Sequence, residues 1–312
     1  MEPKLVNKLI IVLIIAIGIY ASFLLVLDFS IIYDKIVNFK TAYLPIILVI
    51  VSCSWLVLFL RWTILLKNLK IYLPTRSSLL IYVSSFSLSA TPGQIGELIK
   101  SQLLKNKFNI PMTKTAPLVF IERLYDLTGA LFVSILGIWF LGIGIYVIIA
   151  ASIVLAVIFI LLRSQTAFDK TLLFLQRIKF LKKTTDILSN SQDTIQQSIT
   201  GKTAFLSIVV SIAYWFLIGV AAYLVMLALD IDVLEYLNIV SIYSSSLILG
   251  AASFVPGGIG ITEGSIAGLL TLGGVDVASA FVIGIIIRIF TLWYAVFVGF
   301  IALKINGGLT SS

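Results

Sequence analysis

The 312-residue chain contains no histidine. Histidine-ligated metals, histidine proton relays and Ser-His or Cys-His nucleophilic pairs are therefore excluded. There is one cysteine, Cys53, inside an apolar run, so no internal disulfide can form and nothing follows about redox compartment. Charge is scarce: 12% of the residues are Asp, Glu, Lys or Arg, against about 25% in a soluble domain. Hydrophobic residues make up 60%, and the mean hydropathy is +1.13. A buried core cannot absorb that surplus. The chain is read as an all-α, polytopic integral membrane protein, because in lipid a helix satisfies its own backbone polar groups. No P-loop, dinucleotide fingerprint or metal-ligand cluster is present, and no cofactor or metal is expected. The formal net charge of +8 could suggest nucleic acid. Its placement along the chain points to membrane topology instead, and no nucleic-acid partner is expected.

About 20 apolar residues cross roughly 30 Å of hydrocarbon. Six runs qualify: 9–27, 44–60, 115–136, 138–162, 204–229 and 277–303. The first is read as a retained helix, since its run is too long for a signal peptide and no small-residue cleavage site follows it. Two further stretches are interrupted. Residues 78–90 run into Thr91-Pro92-Gly93-Gln94-Ile95-Gly96-Glu97, and residues 237–254 into Val255-Pro256-Gly257-Gly258-Ile259-Gly260. Proline removes a helix hydrogen bond and glycine lets the chain turn. Each stretch is predicted to be a helical hairpin, 78–105 and 237–274, with second legs at 94–105 and 262–272.

Lysine and arginine concentrate on the cytoplasmic side of membrane helices. Suppose each hairpin is re-entrant and returns to the side it came from. Then the N-terminus with Lys4 and Lys8 lies inside, as does the loop with Arg61, Lys67, Lys70 and Arg76. The exit of the first hairpin, with Lys100, Lys105, Lys107 and Lys114, is also inside, together with the polar segment 163–202 and Lys304. All but four of the 22 basic residues then face the cytoplasm; Lys35 and Lys40 fall outside, and Arg123 and Arg288 lie in the membrane. The outer loops hold Asp28, Asp34, Asp230, Asp232, Glu235 and Asp276. A full crossing in place of either hairpin destroys this bias. The expected architecture is six full spans plus two re-entrant hairpins in the plasma membrane, with both termini cytoplasmic. Segment 163–202 mixes Leu172, Leu173, Leu175 and Ile178 with Lys170, Arg177, Lys179, Lys182 and Lys183. It is predicted to form amphipathic helices on the anionic inner leaflet.

The two breaks are alike. Pro92-Gly93-Gln94-Ile95-Gly96 matches Pro256-Gly257-Gly258-Ile259-Gly260 at four of five positions. Arg123 follows Pro92 by 31 residues and Arg288 follows Pro256 by 32. A glutamate lies just past each break, Glu97 and Glu263. Residues 1–137 read helix, helix, hairpin, helix; residues 138–305 repeat that order, leaving 306–312 as a short tail. Three crossings in the first half turn the second half upside down. Inverted repeats with discontinuous helices meeting near the midplane are a transporter design.

Six ionisable residues fall in membrane-embedded segments: Glu97, Glu122, Arg123, Asp126, Glu263 and Arg288. Such groups are functional candidates by default. Arg123 and Asp126 are spaced to pair on one helix. Arg288 has no acid within four positions on its own helix, so its partner comes from elsewhere in the fold, with Glu263 one candidate, or from a ligand, and it lies roughly 16 Å in from the outer end of its helix. On the structural reading these groups are ion pairs that lock the hairpins to neighbouring helices, with Glu97 and Glu263 stabilising the first turn of each second leg. On the functional reading Arg123 and Arg288 contact a substrate anion. The breaks either turn the chain only or offer an anion site at a new helix N-terminus. Gly93 and Gly257 are expected where a Cβ would strain the backbone. Gly96 and Gly260 are expected where a small residue admits another helix or a headgroup. Trp55, Trp62, Trp139, Trp215 and Trp293 read as belt or packing residues, and Tyr20, Tyr33 and Tyr43 as outer anchors.

The motifs Thr91-Pro-Gly-Gln-Ile-Gly-Glu-Leu-Ile-Lys100, Glu122-Arg-Leu-Tyr-Asp126 and Pro256-Gly-Gly-Ile-Gly-Ile-Thr-Glu263 resemble the transmembrane region of lysylphosphatidylglycerol synthase. That region is the flippase-like domain of bacterial MprF proteins, found also as stand-alone membrane proteins of bacteria and archaea. The resemblance covers nearly the whole chain. It implies movement of an aminoacylated phospholipid between leaflets, and it carries Gly93, Gly96, Glu97, Lys100, Glu122, Arg123, Asp126, Pro256, Gly257, Gly260 and Glu263 as family motif residues. The sequence stops eight residues after Lys304 without the soluble aminoacyl-transferase domain, so neither synthase activity nor that particular lipid is implied. The expected function is a non-enzymatic lipid translocase for an anionic phospholipid or a polyprenyl-phosphate-linked lipid. The expected substrate-binding set is Pro92, Gly93, Gly96, Glu97, Lys100, Glu122, Arg123, Asp126, Pro256, Gly257, Gly258, Gly260, Glu263 and Arg288. The alternative is an ion-coupled transporter of a small anion using Glu97 or Glu263. An intramembrane enzyme is disfavoured for want of a nucleophile with a base, an accessory subunit stays open, and a homo-oligomer is compatible with the sequence.

Overall fold

The computed structural model describes residue 18 and residues 29–91, 96–141, 145–176 and 191–308. Among these residues the structure is helical, with no strand. The run 9–27 lies outside them apart from Gly18, as do 92–95, with Pro92 and Gly93 of the first break, and 177–190.

A short helix, α1 (Phe29–Val37), leads through a 3-10 turn (Thr41–Tyr43) into α2 (Leu44–Asn68). Pro45 falls in the first turn of α2, where its missing N–H would have no intrahelical partner anyway. Helix α3 (Thr75–Ser85) tightens into a 3-10 turn (Phe86–Leu88) before the first break, and α4 (Ile99–Phe108) leaves it. Next come α5 (Met112–Leu141), α6 (Ile145–Arg163), α7 (Gln165–Gln176) and the short α8 (Gln192–Ser198). Then α9 (Gly201–Ala228) precedes α10 (Tyr236–Ala252), the second break at Pro256–Gly258, and α11 (Ile261–Leu272). The last long helix is α12 (Val277–Arg288), a π-helical turn (Ile289–Trp293) and α13 (Tyr294–Ile305).

Among the described residues, three stretches are long and apolar enough to cross a membrane: Thr41–Asn68, Gly201–Ala228 and Val277–Ile305. Helix α5 is as long, at 30 residues, but carries Glu122, Arg123 and Asp126. Large apolar side chains point outward as well as inward. Ile46, Val49, Leu56 and Leu60 are exposed on α2, and Phe297, Ile301 and Ile305 on α13. Helices apolar on every side need an apolar medium around the bundle as well as an apolar core within it. The protein is a helical membrane protein.

Helices α2 and α9 pack along each other, while α10 lies against α5 and α9. Helix α3 and its 3-10 turn lie against α13. The first leg of each hairpin thus packs on the helix that follows the other hairpin. Glycine permits one of these contacts: a Cβ on Gly299 of α13 would come within 2.7 Å of the Phe86 carbonyl carbon. Proline shapes another. Pro117 in α5 cannot bond the carbonyl four residues back, and that freed Thr113 oxygen accepts from the Ser191 hydroxyl at 3.1 Å.

The bundle has two chemically different ends. At one, Asn68 of α2 bonds to Gln197 and Thr203, and Lys107 donates to Asn306. Lys67, Lys105, Lys114, Lys202 and Lys304 belong to helix ends there. At the other end Lys40 pairs with Asp230, whose hydrogen bond holds the ammonium above its usual pKa. Asp276 caps α12 by accepting from the Ser279 N–H at 2.9 Å. Desolvation works to raise the Asp276 carboxyl, but the hydrogen bonds from Ser279 and the charge of Lys35 leave it below the usual value.

Two expectations need correction. Arg61 is not in a cytoplasmic loop: α2 continues to Asn68 and Arg61 is fully buried in it. Lys100 is not a solvated residue at the hairpin exit; it too is fully buried. Both are neutralised by acids on α5, which removes the reason to end the span at a charge. The described C-terminal end of segment 163–202 packs on the bundle. Ile195, Ser198 and Ile199 of the α8 region are buried against the bundle, and Tyr125 donates to the Ser198 carbonyl at 2.7 Å.

Candidate functional site: two arginine–glutamate pairs at the hairpin breaks

The second break is complete in the structure. Phe254 and Gly257 both take positive φ, 55° and 60°, so the chain reverses sharply around Pro256. Gly258 and Gly260 also have positive φ, 66° and 86°. Side chains are strained in that region, glycine is not, so the predicted role of Gly257 holds and extends to Gly258 and Gly260. Glu263 sits one turn into α11 and is fully buried. Its Oε2 accepts from the Gly260 N–H at 2.6 Å and its Oε1 from Arg288 Nε at 3.0 Å. The other side of the guanidinium, Nη2, donates to the Gly257 carbonyl. Arg288 therefore ties together the break, the start of α11 and its own helix. It is the last residue before the π-helical turn, a widening that often marks functional positions.

The first break carries more charge. Arg123 Nη2 donates to Glu97 Oε2 at 2.9 Å, and Nη1 reaches Asp126 Oδ2 at 3.2 Å. Asp126 also accepts from Arg61 Nη1 at 2.5 Å, and the same nitrogen donates to the Ser211 hydroxyl at 2.6 Å. Lys100 pairs with Glu122 and lies 3.4 Å from Glu97. Its ammonium sits 4.9 Å from the Trp62 ring centroid and 5.2 Å from that of Tyr82, a cation–π arrangement. Arg61 Nε and Nη2, Trp62 Nε1 and Glu122 Oε1 are buried with no hydrogen-bond partner among the described residues. Buried polar atoms without partners are rare and call for an explanation.

The second break touches the first hairpin's first leg. A Cβ on Gly257 would lie 3.3 Å from the Ala90 Cα, at the end of the first hairpin's first leg. Ala90, Ile259, Leu292 and Val296 form a small apolar cluster at this junction. The pairs differ in access: the Arg288 side chain is 4% exposed and that of Arg123 26%. A separate cavity of about 120 Å³ lies between α2 and α3, lined by Thr63, Lys67, Tyr72, Thr75 and Ser78 among others. None of the paired residues lines it.

A family model described as the lysylphosphatidylglycerol synthase TM region matches residues 11–299, taking in both hairpins and both arginines. The chain belongs to this family. It is also similar to a UPF0104 membrane protein of Methanocaldococcus jannaschii, 28% identical over 215 residues, which covers 69% of this chain and 91% of that relative. Among the motif residues of the synthase TM-region resemblance, Glu97, Lys100, Glu122, Arg123 and Asp126 come together in one cluster and Gly257, Gly260 and Glu263 in the other. Pro92 and Gly93 lie outside the described residues. Gly96 is not an open approach for a headgroup: a Cβ there would meet the Leu88 carbonyl oxygen at 2.6 Å and the Thr91 hydroxyl at 2.7 Å. Arg61, Trp62, Tyr82 and Ser211 complete the first cluster and were not singled out as site residues. The one signal for Arg61 is that an arginine there is followed by seven more residues of helix-forming, mostly apolar sequence.

Proposed function

We propose that the protein is a lipid translocase that moves an anionic lipid between leaflets, binding its headgroup at the hairpin breaks while the chains stay in the bilayer. The observation that carries this reading is Arg123. It is a permanent cation on a membrane helix, paired with two acids, one of them just past the first break, and its side chain is still a quarter exposed. A headgroup can reach such a cation from the side without the acyl tails entering the protein. Arginine suits the task because its planar fork grips phosphate through two parallel hydrogen bonds.

The architecture assigned is six spans and two re-entrant hairpins in an inverted repeat. Three observations support it. The ends of the second hairpin lie side by side, since a Cβ on Gly273 would come within 2.8 Å of Leu234. The first legs exchange partners reciprocally, α3 on α13 and α10 on α5. The Glu97–Arg123 pair has its counterpart in Glu263–Arg288 at nearly the same spacing. In this reading the two pairs are the binding positions for opposite leaflets, and the conformation seen here holds the Arg288 position shut and the Arg123 position partly open. The protein performs no covalent chemistry.

The test is transbilayer movement of headgroup-labelled phosphatidylglycerol in proteoliposomes. Wild-type protein is expected to accelerate it over protein-free vesicles. Arg123→Gln and Arg288→Gln each remove a charge-assisted phosphate contact, which is expected to slow movement about tenfold or more. Arg288→Lys keeps the charge but not the fork and is expected to fall between. No acceleration by the wild type, or wild-type rates in both glutamine variants with normal folded yield, overturns the proposal.

A further inference from the structure

The first-break cluster is electrically balanced. Arg61, Lys100 and Arg123 face Glu97, Glu122 and Asp126, three charges of each sign joined by contacts of 3.4 Å or less. All but Arg123 are buried. An uncompensated charge in such surroundings costs several kcal/mol even after relaxation, roughly the penalty that pairing offsets. A monoanion arriving at Arg123 therefore brings one negative charge too many.

The geometry shows which acid is left short. Arg123 donates to Glu97 through Nη2 and to Asp126 through Nη1. If Arg123 turns to the anion, Asp126 keeps Arg61 and the Ser211 hydroxyl remains on that same Arg61 nitrogen. Glu122 keeps Lys100. Glu97 loses its closest cation. It is left with Lys100 at 3.4 Å, which Glu122 already holds more closely, and with the Ser89 hydroxyl, also at 3.4 Å. The groups around it are otherwise the Tyr82 phenol of α3, and Glu122 and Asp126 of α5, none of which supplies positive charge; Arg61 of α2 is committed to Asp126.

We propose that binding of an anionic headgroup at Arg123 is coupled to uptake of one proton by the Glu97 carboxylate, so that the protein moves anion and proton together. The proton comes from solvent and becomes the O–H of a neutral Glu97 carboxylic acid; it leaves again when Arg123 returns to Glu97. The cluster then stays neutral in both states. The proposal rests on the anionic-lipid reading above, and adds to it a co-transported ion and the residue that carries it. Glu263 pairs with Arg288 in the second half, where its other oxygen is held by the Gly260 N–H.

The experiment is calorimetric binding of dihexanoyl phosphatidylglycerol to purified protein, in buffers of different ionisation enthalpy and at several pH values. This probe is soluble and stays a monoanion across the range. Wild-type protein is expected to take up about one proton per lipid, and its affinity to fall as the pH rises, by up to about tenfold per pH unit for one full proton. Glu97→Gln leaves the cluster with one positive charge before binding. It is expected to bind at least as tightly at the high end of the range, with no pH dependence and no proton uptake. Glu97→Asp is expected to restore the coupling, and a melting curve for each variant separates binding loss from unfolding. Saturable wild-type binding without proton uptake, or unchanged uptake in Glu97→Gln, overturns the coupling and leaves the lipid reading standing. Absence of saturable wild-type binding removes the lipid reading and the coupling together.

Discussion

Lys100 has no route to water: its ammonium is enclosed by the Glu122 carboxylate and two aromatic rings. Removing one partner of such a pair strands the other charge, which typically costs about 3–5 kcal/mol. Lys100→Ala is therefore expected to lower the melting temperature in detergent sharply. Lys100→Met combined with Glu122→Gln removes both charges at similar volume and is expected to recover most of that loss. A Lys100→Ala protein that melts like the wild type would show that the pair contributes little. The same physics decides what a reader of the sequence can find. Arg123 and Asp126 are three residues apart on one helix, so their pairing is legible from spacing alone. Glu263 and Arg288 are 25 apart, but the break and the lack of an acid within four positions of Arg288 make the pair a candidate. Arg61 and Asp126 are 65 apart on different helices. A hydropathy run stops at the first charge, so Arg61 reads as the end of a span, and only the fold shows the acid that lets α2 continue for two more turns.

At the level of elements, the breaks depend on backbone shape as much as on charge. Gly260 sits at φ 86° and donates its N–H to Glu263, fixing the direction in which α11 starts. Any side chain there is held in a sparsely populated region, at a cost of order 1–3 kcal/mol. Gly96 has no such φ, yet a Cβ would overlap the Leu88 backbone. Gly96→Leu and Gly260→Leu are thus both expected to lower thermal stability and folded yield as well as transport. Gly264, one turn further on, serves as the control, because nothing lies within 4 Å of where its Cβ would be; Gly264→Ala is expected to melt at or above the wild-type temperature. Unchanged melting in Gly96→Leu would mean that the space beside Leu88 opens readily, restoring the idea of a headgroup approach at that position. The Pro-Gly pattern made the second break legible, because proline and glycine act locally. The contact that gives Gly96 its role runs to the other leg of the hairpin, and sequence spacing carries no information about it.

Over the whole molecule, the charge bias of the loops and the geometry of the bundle ends point the same way. Lys107 and Asn306 meet at one end, and Lys40 and Asp230 at the other. The loop before α10 and the turn after α11 also meet, with Leu234 beside Gly273 and Val233 beside Gly274. If that segment crossed the membrane fully, Val233 and Gly274 would be separated by about 30 Å of hydrocarbon. Burial of Arg61 and Lys100 takes two lysine or arginine residues off the face proposed as cytoplasmic, but it leaves Lys67, Lys70, Arg76, Lys105, Lys107 and Lys114 on loops and helix ends. The bias that the positive-inside rule reads therefore survives, because it depends on charges that remain solvated. Single cysteines test the sidedness. Cys53 is exposed on the outward face of α2 and can first be replaced by alanine. Cysteines at Asp232 and at Asp276 are then expected to react with a membrane-impermeant maleimide in intact cells. Cysteines at Lys70 and at Lys107 are expected to react only after the cells are opened. Reaction of the Lys107 site in intact cells, with the Lys70 site still protected, would mean that the first hairpin crosses completely. Everything after it would then be inverted, Arg123 and Arg288 would no longer be related by an inverted repeat, and the assignment of one arginine to each leaflet would fall with it.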